Sequence, residues 1–345
     1  MNTHDQAHIG RSRAWLAHPI AAVMLAMSVF SGMPGCATSS GPRSERIDET
    51  QQSTDLVVEA ESALATGDEV AALNLLAQAI EVNPTLTVAH IRMAEIQRNR
   101  GDLNDSERAY RRAVTIEPRN FVAQLGHAEV LHALGRVIEA VRAYVRAVSL
   151  EPENPGANKG LAAAYLELKE PRAALQYAQR ATALDPTDGR SHANLGAIYS
   201  LLNRHEDAVN EYEAAAELMD LNAELLLNWA NSLGAIERYD EMINTLNEVL
   251  KLEPSAVAHE RLGYARFKQR RYDEASQHFR DAIAIDGQHY PALNGLAVVL
   301  LNDYIRSERR DDRLRREALT LLRKSLQINS DQPKFVDLVS RFKRG

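Results

Sequence analysis

The amino-acid sequence predicts an all-α chain made by stacking antiparallel helix hairpins, and three observations lead there. Pro84, Pro118, Pro152 and Pro186 stand 34 residues apart, and each closes the same kind of segment, an apolar helix end followed by an acidic or amide residue (AIEVNP, AVTIEP, AVSLEP, ATALDP). Asp220 keeps the phase without the proline, Pro254 returns 34 residues later, and Gly287 follows after 33 in AIAIDG. Between these stops, apolar residues fall at helical spacing twice per interval, so each unit reads as two amphipathic helices. Composition agrees: 45% of the chain is hydrophobic but only 6% aromatic, and a chain rich in Ala, Leu, Glu and Arg reads as repeated helices rather than sheet. One hairpin cannot bury its own apolar face, so neighbours must stack into an array.

The first element is an address. Residues 1–35 have the three-part layout of a secretory signal, with Arg11 and Arg13 before an apolar stretch from Ile20 to Phe30. As a helix that stretch reaches roughly 16 Å, about half of a hydrocarbon core, so it is a poor permanent span. The junction Met33-Pro34-Gly35-Cys36 resembles the lipobox of bacterial lipoproteins, in which a small residue precedes a cysteine that receives diacylglycerol. That resemblance implies a lipidated Cys36, an attachment to membrane through this N-terminus, and an outer-membrane lipoprotein facing the periplasm, because Ala37 rather than Asp follows. Cys36 is the only cysteine of the chain, so no disulfide framework and no CxxC site exists within it. Residues 36–52 are rich in Ser, Thr, Gly, Gln and charge and read as a flexible tether.

The array is expected over residues 53–330. Seven regular units start near Ser53, Thr87, Phe121, Pro155, Gly189, Ala223 and Ala256, and an eighth starts at Tyr290. Small residues at the eighth and twentieth positions let paired helices approach, and bulky ones at the eleventh and twenty-fourth fill the space beside them. Tyr110, Tyr144, Tyr212 and Phe279 share one repeat position and read as core spacers. With Leu195, Gly196, Tyr199, Ala208, Tyr212 and Ala215 in phase, and Leu262, Gly263, Ala275, Phe279 and Ala282 two units on, the chain resembles the tetratricopeptide repeat family. The resemblance implies a right-handed α-solenoid of about eight hairpins whose first helices line a concave, protein-binding groove. The eighth unit carries an insertion near 303–316, compatible with extended helix ends or a charged loop. Residues 331–345 form a capping helix and basic tail, with Phe335, Leu338, Val339 and Phe342 covering the open end.

Charge and motifs narrow the function classes. The net charge is −7, yet from 303 to 345 twelve Lys or Arg face seven Asp or Glu, an acidic body with a basic tail. No nucleic-acid partner is expected from that balance. No nucleotide-binding, zincin or nucleophile-elbow motif occurs, the eleven His show no pair at ligand spacing on one helix face, and the carboxylates fall on helix surfaces. The expectation is therefore a scaffold, not an enzyme, with no catalytic, cofactor-binding or metal residues.

A groove ligand, a protein or peptide, would meet residues on the exposed face of the first helices. By resemblance these are Arg190, Asn194, Asn228, Asn231, Arg261, Tyr264, Phe267 and Asn294, together with Lys268 and Asn302. Asn supplies donor and acceptor to a peptide backbone, Arg261 suits a carboxylate, and the aromatics offer anchoring area. Lys159 matches a position of the family's carboxylate clamp, but Ala163 stands where the clamp has Asn. In repeats two to four the same face is charged: Arg92, Glu95, Arg98, Glu129, His132 and Lys159. The alternative is a structural role, through self-association or attachment of the basic segment (Arg309, Arg310, Arg313, Arg315, Arg316) to anionic lipid or polymer.

Overall fold

The structure is a computed structural model, and it describes residues 42–343. Residues 1–41, with the signal segment and Cys36, lie outside the described residues. By internal contacts the chain divides after Ile47, and the unit from Asp48 onward holds the whole array.

Among the described residues there are seventeen helices and no strand. The first four hairpins are α1 (Pro42–Ala65) with α2 (Glu69–Val82), α3 (Thr87–Arg100) with α4 (Leu103–Ile116), α5 (Phe121–Ala133) with α6 (Val137–Leu150), and α7 (Pro155–Glu167) with α8 (Pro171–Leu184). Four more follow: α9 (Gly189–Leu201) with α10 (His205–Leu218), α11 (Ala223–Ala235) with α12 (Tyr239–Leu252), α13 (Ala256–Lys268) with α14 (Tyr272–Ile285), and α15 (Tyr290–Arg306) with α16 (Asp312–Ile328). A single helix, α17 (Pro333–Lys343), closes the order. Each helix packs on its predecessor and successor, and first helices also touch the next first helix, as α3 does α5 and α13 does α15. Second helices have no comparable contact with one another, so the first helices form the inner layer of a right-handed α-solenoid.

The starts of the second to eighth repeats fall where the periodicity places them. The first does not: α1 begins at Pro42 rather than near Ser53, so residues 42–52, expected as tether, are helical here. No Gly or Pro interrupts 43–66, and Glu, Gln and Arg sustain a helix as well as they solvate a linker. The insertion in the eighth unit resolves into helix. Both α15 and α16 run 17 residues, against 13 or 14 in the regular hairpins, and only Ser307–Asp311 remain between them.

Local chemistry explains the regularity. Four first helices are capped by side chains that accept a backbone N–H three residues on: Asn120 from Ala123, Asn154 from Ala157, Asn222 from Leu225 and Ser255 from Ala258. The turn inside each of the first seven hairpins has one left-handed residue, Gly67, Gly101 and Gly135 in the first three, then Lys169, Asn203, Glu237 and Arg270, and the eighth has two, Glu308 and Arg309. Tyr110 and Tyr212 are fully buried, Tyr144 and Phe279 nearly so. Their rings lie on glycines of the neighbouring helix: a Cβ on Gly126 would meet the Tyr110 ring, one on Gly160 the Tyr144 ring, and one on Gly295 the Phe279 ring. At the far end Phe335, Leu338, Val339 and Phe342 of α17 pack on the last core cluster, as a capping helix should.

One repeated contact escapes the sequence reading. The side chain at the fourth position of a first helix reaches back to the carbonyl of the preceding proline: His90 Nε2 to Pro84 (3.1 Å), Gln124 Nε2 to Pro118 (2.8 Å), Asn158 Nδ2 to Pro152 (2.9 Å), His192 Nε2 to Pro186 (3.1 Å). The proline carbonyl sits past the helix end with no ladder partner, so a donor here satisfies it.

Candidate interaction surface

The first helices present two cavities on the array. The larger, about 630 Å³, lies in the middle and is lined by Glu129, Tyr144, Lys159, Ala163, Arg190 and Asn194 among others. The other, about 540 Å³, lies at the C-terminal end between α13, α15 and α17, with Glu260, Tyr264, Phe267, Lys268, Asn294, Val298, Gln332 and Phe335 in its wall. The residues expected in one groove are therefore divided. Arg190 and Asn194 share the middle cavity; Tyr264, Phe267, Lys268 and Asn294 share the terminal one. Asn228, Asn231 and Arg261 line neither.

Several expected groove residues have structural partners. Arg261 is largely buried and its Nη1 donates to the Leu227 carbonyl of the preceding first helix at 2.8 Å, and desolvation lowers its pKa. Asn294 is buried at 6% exposure and its Nδ2 donates to Gln332 Oε1 at 2.6 Å. Gln332 in turn donates to Ser325 Oγ and the Asn329 carbonyl, so Asn294 anchors the segment leading into α17. Phe267 is half-buried edge-to-face on Tyr272, with ring centroids 5.4 Å apart. Asn302 is half-buried. Tyr264 alone of the aromatic pair is exposed, at 40%, edge-on to Tyr239 and with Lys268 Nζ 5.9 Å from both rings.

Glu260 was not singled out by the sequence reading, although it occupies the groove-facing fifth position of its repeat. It lines the terminal cavity, burial pushes its carboxyl up, and no hydrogen bond or ion pair holds it among the described residues.

The charged face of repeats two to four differs in kind, because its charges are paired across repeats. Arg92 bridges to Glu61 (3.2 Å) and Glu95 (2.9 Å), Arg98 to Glu129, His132 to Glu167 (2.9 Å) and Lys159 to Asp188 (2.8 Å). The Lys159 ammonium at the clamp-like position is thus engaged. Four arginines of the basic segment in the eighth repeat are likewise paired locally: Arg310 meets Glu308, Arg313 meets Asp311, and Arg315 and Arg316 share Asp312. Arg315 also donates to the Phe342 carbonyl of α17 at 2.8 Å.

A stack of helix hairpins whose first helices form an inner face with open grooves defines an α-solenoid scaffold for protein interaction. Family models described as tetratricopeptide repeat match residues 88–193, 189–218 and 227–290. Together these cover more than half of the chain, and it belongs to the tetratricopeptide repeat family. Among solved structures it is similar to Pseudomonas aeruginosa pilF, at 19% identity over 65% of this chain and 99% of that one, with a TM-score of 0.52. It is also similar to the APC/C hetero-tetramer Cut9–Hcn1, at 19% identity over 87% of this chain and 58% of that one, TM-score 0.50. A tetratricopeptide repeat protein from Parabacteroides merdae matches 72% of this chain and 99% of its own at 16% identity, TM-score 0.49. At these identities the likeness is one of fold. No curated protein matches the sequence.

Proposed function

We propose that the chain is a non-catalytic adaptor, tethered to the bacterial outer membrane by a lipid on Cys36, that captures a segment of an envelope protein in its C-terminal groove. The observation that carries this reading is the terminal cavity. It offers apolar wall from Tyr264, Phe267, Val298 and Phe335 beside a carboxylate, Glu260, that has no partner of its own. Glu260 is half-buried, and a ligand that completes its burial has to supply the donor it lacks, because a buried polar group left unpaired costs free energy. The segment that fits is short, extended or helical, with an aromatic or aliphatic anchor and a Lys, Arg or amide beside it. The paired charges of repeats two to four offer no comparable free group among the described residues; Arg190 and Asn194, in the wall of the middle cavity, belong to the fifth repeat.

The test is chemical cross-linking in the native envelope, with mass spectrometry of Cys36. Wild type is compared with Tyr264→Ala and Glu260→Gln, which avoid the structural roles of Arg261, Phe267 and Asn294. An acylated Cys36, with one or two envelope proteins lost in both variants, supports the reading; an anchor residue of this kind is worth about 2 kcal/mol, roughly thirtyfold in affinity. Identical partners in all three, or an unmodified Cys36, removes the groove or the anchor respectively. A self-associating or lipid-attached structural protein would instead lose its behaviour when Arg309 and Arg310 are neutralised.

A further inference from the structure

The connection into the seventh repeat is one residue shorter than the others. Glu253–Ser255 join α12 to α13, whereas four residues join every other second helix from α2 to α14 to the next first helix. In the second and fifth repeats the fourth-position histidine is held by a proline carbonyl, His90 by Pro84 and His192 by Pro186. His259 holds the same place in α13 with no such bond. Its Nδ1 faces Nδ1 of His278 on α14 at 3.3 Å, and Asp281, one turn along α14 from His278, places Oδ2 3.9 Å from the same atom. In the fifth repeat the two corresponding positions are a simple histidine–carboxylate contact, His192 Nδ1 to Glu211 at 2.7 Å.

We propose that His259, His278 and Asp281 form a binding site for a divalent late transition-metal ion, with Zn²⁺ the best fit and water completing the coordination. The three donor atoms lie within 4.8 Å of one another. Two nitrogens bound to one tetrahedral zinc at roughly 2.0–2.1 Å stand about 3.3–3.4 Å apart, which is the separation of the two Nδ1 atoms here. From His259 Nδ1 the carboxylate oxygen, at 3.9 Å, lies about half an ångström beyond that edge, and all three donors stay within 4.8 Å of one another, a gap that side-chain rotation can close. Its other oxygen, Oδ1, already accepts from Gln277 Nε2 at 2.8 Å, an outer contact of the kind that orients metal ligands. Burial and the neighbouring His259 hold His278 below its ordinary pKa. The nearby Arg266 guanidinium is directed at Glu274, 3.2 Å away. His259 is 20% and Asp281 38% exposed in their side chains, which leaves an entry path for the ion and room for water. The ligands come from both helices of one hairpin, so binding would staple α13 to α14 beneath the groove that carries Tyr264.

The test is calorimetric titration of the untagged full chain with ZnCl₂, alongside His259→Ala, His278→Ala, Asp281→Asn and a control, His192→Ala. One zinc per chain is expected for wild type and the control. The two histidine variants should lose that binding at least a hundredfold and Asp281→Asn at least tenfold. Co²⁺ in place of Zn²⁺ should give wild type the intense visible bands of a tetrahedral site, a readout that holds even where a variant folds poorly. Absence of those bands, or zinc binding that persists in the His259→Ala, His278→Ala double variant, overturns the proposal and leaves the two rings bonded only to each other.

Discussion

Repeats two to four and repeats seven and eight share one backbone plan but differ on the inner face. The N-terminal stretch laces its first helices together with the cross-repeat ion pairs Arg92–Glu61 and Arg98–Glu129 and the His132–Glu167 hydrogen bond. The C-terminal stretch presents the exposed Tyr264 and the unpaired Glu260 around an apolar cavity. A solenoid does not need any particular residue on its inner face for folding, because each repeat is held by its neighbours through the shared core. That face is free to diverge along the array. Where charges satisfy one another it is a braced surface; where an aromatic and a carboxylate are left over it is the surface we propose for docking.

The comparison requires that the cores themselves be equivalent, and the largest expected effects test this. Tyr110→Ala in the charged half and Phe279→Ala in the aromatic half should each cost about 3–5 kcal/mol, since both remove a buried ring seated on a glycine. Denaturant midpoints that differ sharply between them would mean the halves are not built alike. A smaller loss, about 2 kcal/mol, is expected for Glu107→Ala. Glu107 has a side chain only 5% exposed and gathers Arg111 (3.1 Å), Arg136 (3.1 Å) and His127 (3.4 Å). The corresponding residue in the seventh repeat is Ser276, which has no such network, and Ser276→Ala should stay within about 0.5 kcal/mol of wild type.

These contrasts show what sequence can reveal. The 34-residue phase of Pro84 to Pro186 and the recurring Tyr or Phe were enough to place seven helix starts and the spacers, because each belongs to a local rule repeated many times. The first helix start was missed because 42–52 is polar in a way that suits a helix surface and a linker equally. The groove was only half legible. Tyr264 was recognisable by position, but whether Arg261, Asn294 and Phe267 are free depends on the Leu227 carbonyl, Gln332 and Tyr272, which lie 34, 38 and 5 residues away in the chain. Glu260 passed unnoticed because a carboxylate on a helix is ordinary until burial and the lack of a partner single it out. His259 and His278 sit on different helices, 19 residues apart, so no search along one helix face finds them.

The hairpin turns offer a third contrast. Gly101 has φ +85° and Gly135 φ +71°, whereas Lys169, Glu237 and Arg270 occupy the same turn at φ near 60° with a side chain. Gly101→Ala should therefore lose about 1 kcal/mol. Glu237→Gly should gain only roughly 0.5 kcal/mol, since relief of the left-handed strain is partly offset by a more disordered unfolded chain. Thermal melts of the two variants read both signs, and a Glu237→Gly protein that melts lower would show that its side chain contributes to the turn beyond its backbone cost.

The smallest effect decides how the charged face should be understood. Arg98 and Glu129 are 34% and 41% exposed, so a double-mutant cycle with Arg98→Ala and Glu129→Ala should return a coupling of about 0.2–1 kcal/mol, most of it gone in 0.5 M salt as screening shortens to a few ångströms. A value in that range means the ladder braces neighbouring repeats weakly and is satisfied by itself, leaving recognition to the aromatic end. A coupling of several kcal/mol would make the ladder a structural girder. No measurable coupling would mean the two charges are available to a ligand after all, and the docking surface would then extend from the Tyr264 cavity along the whole inner face.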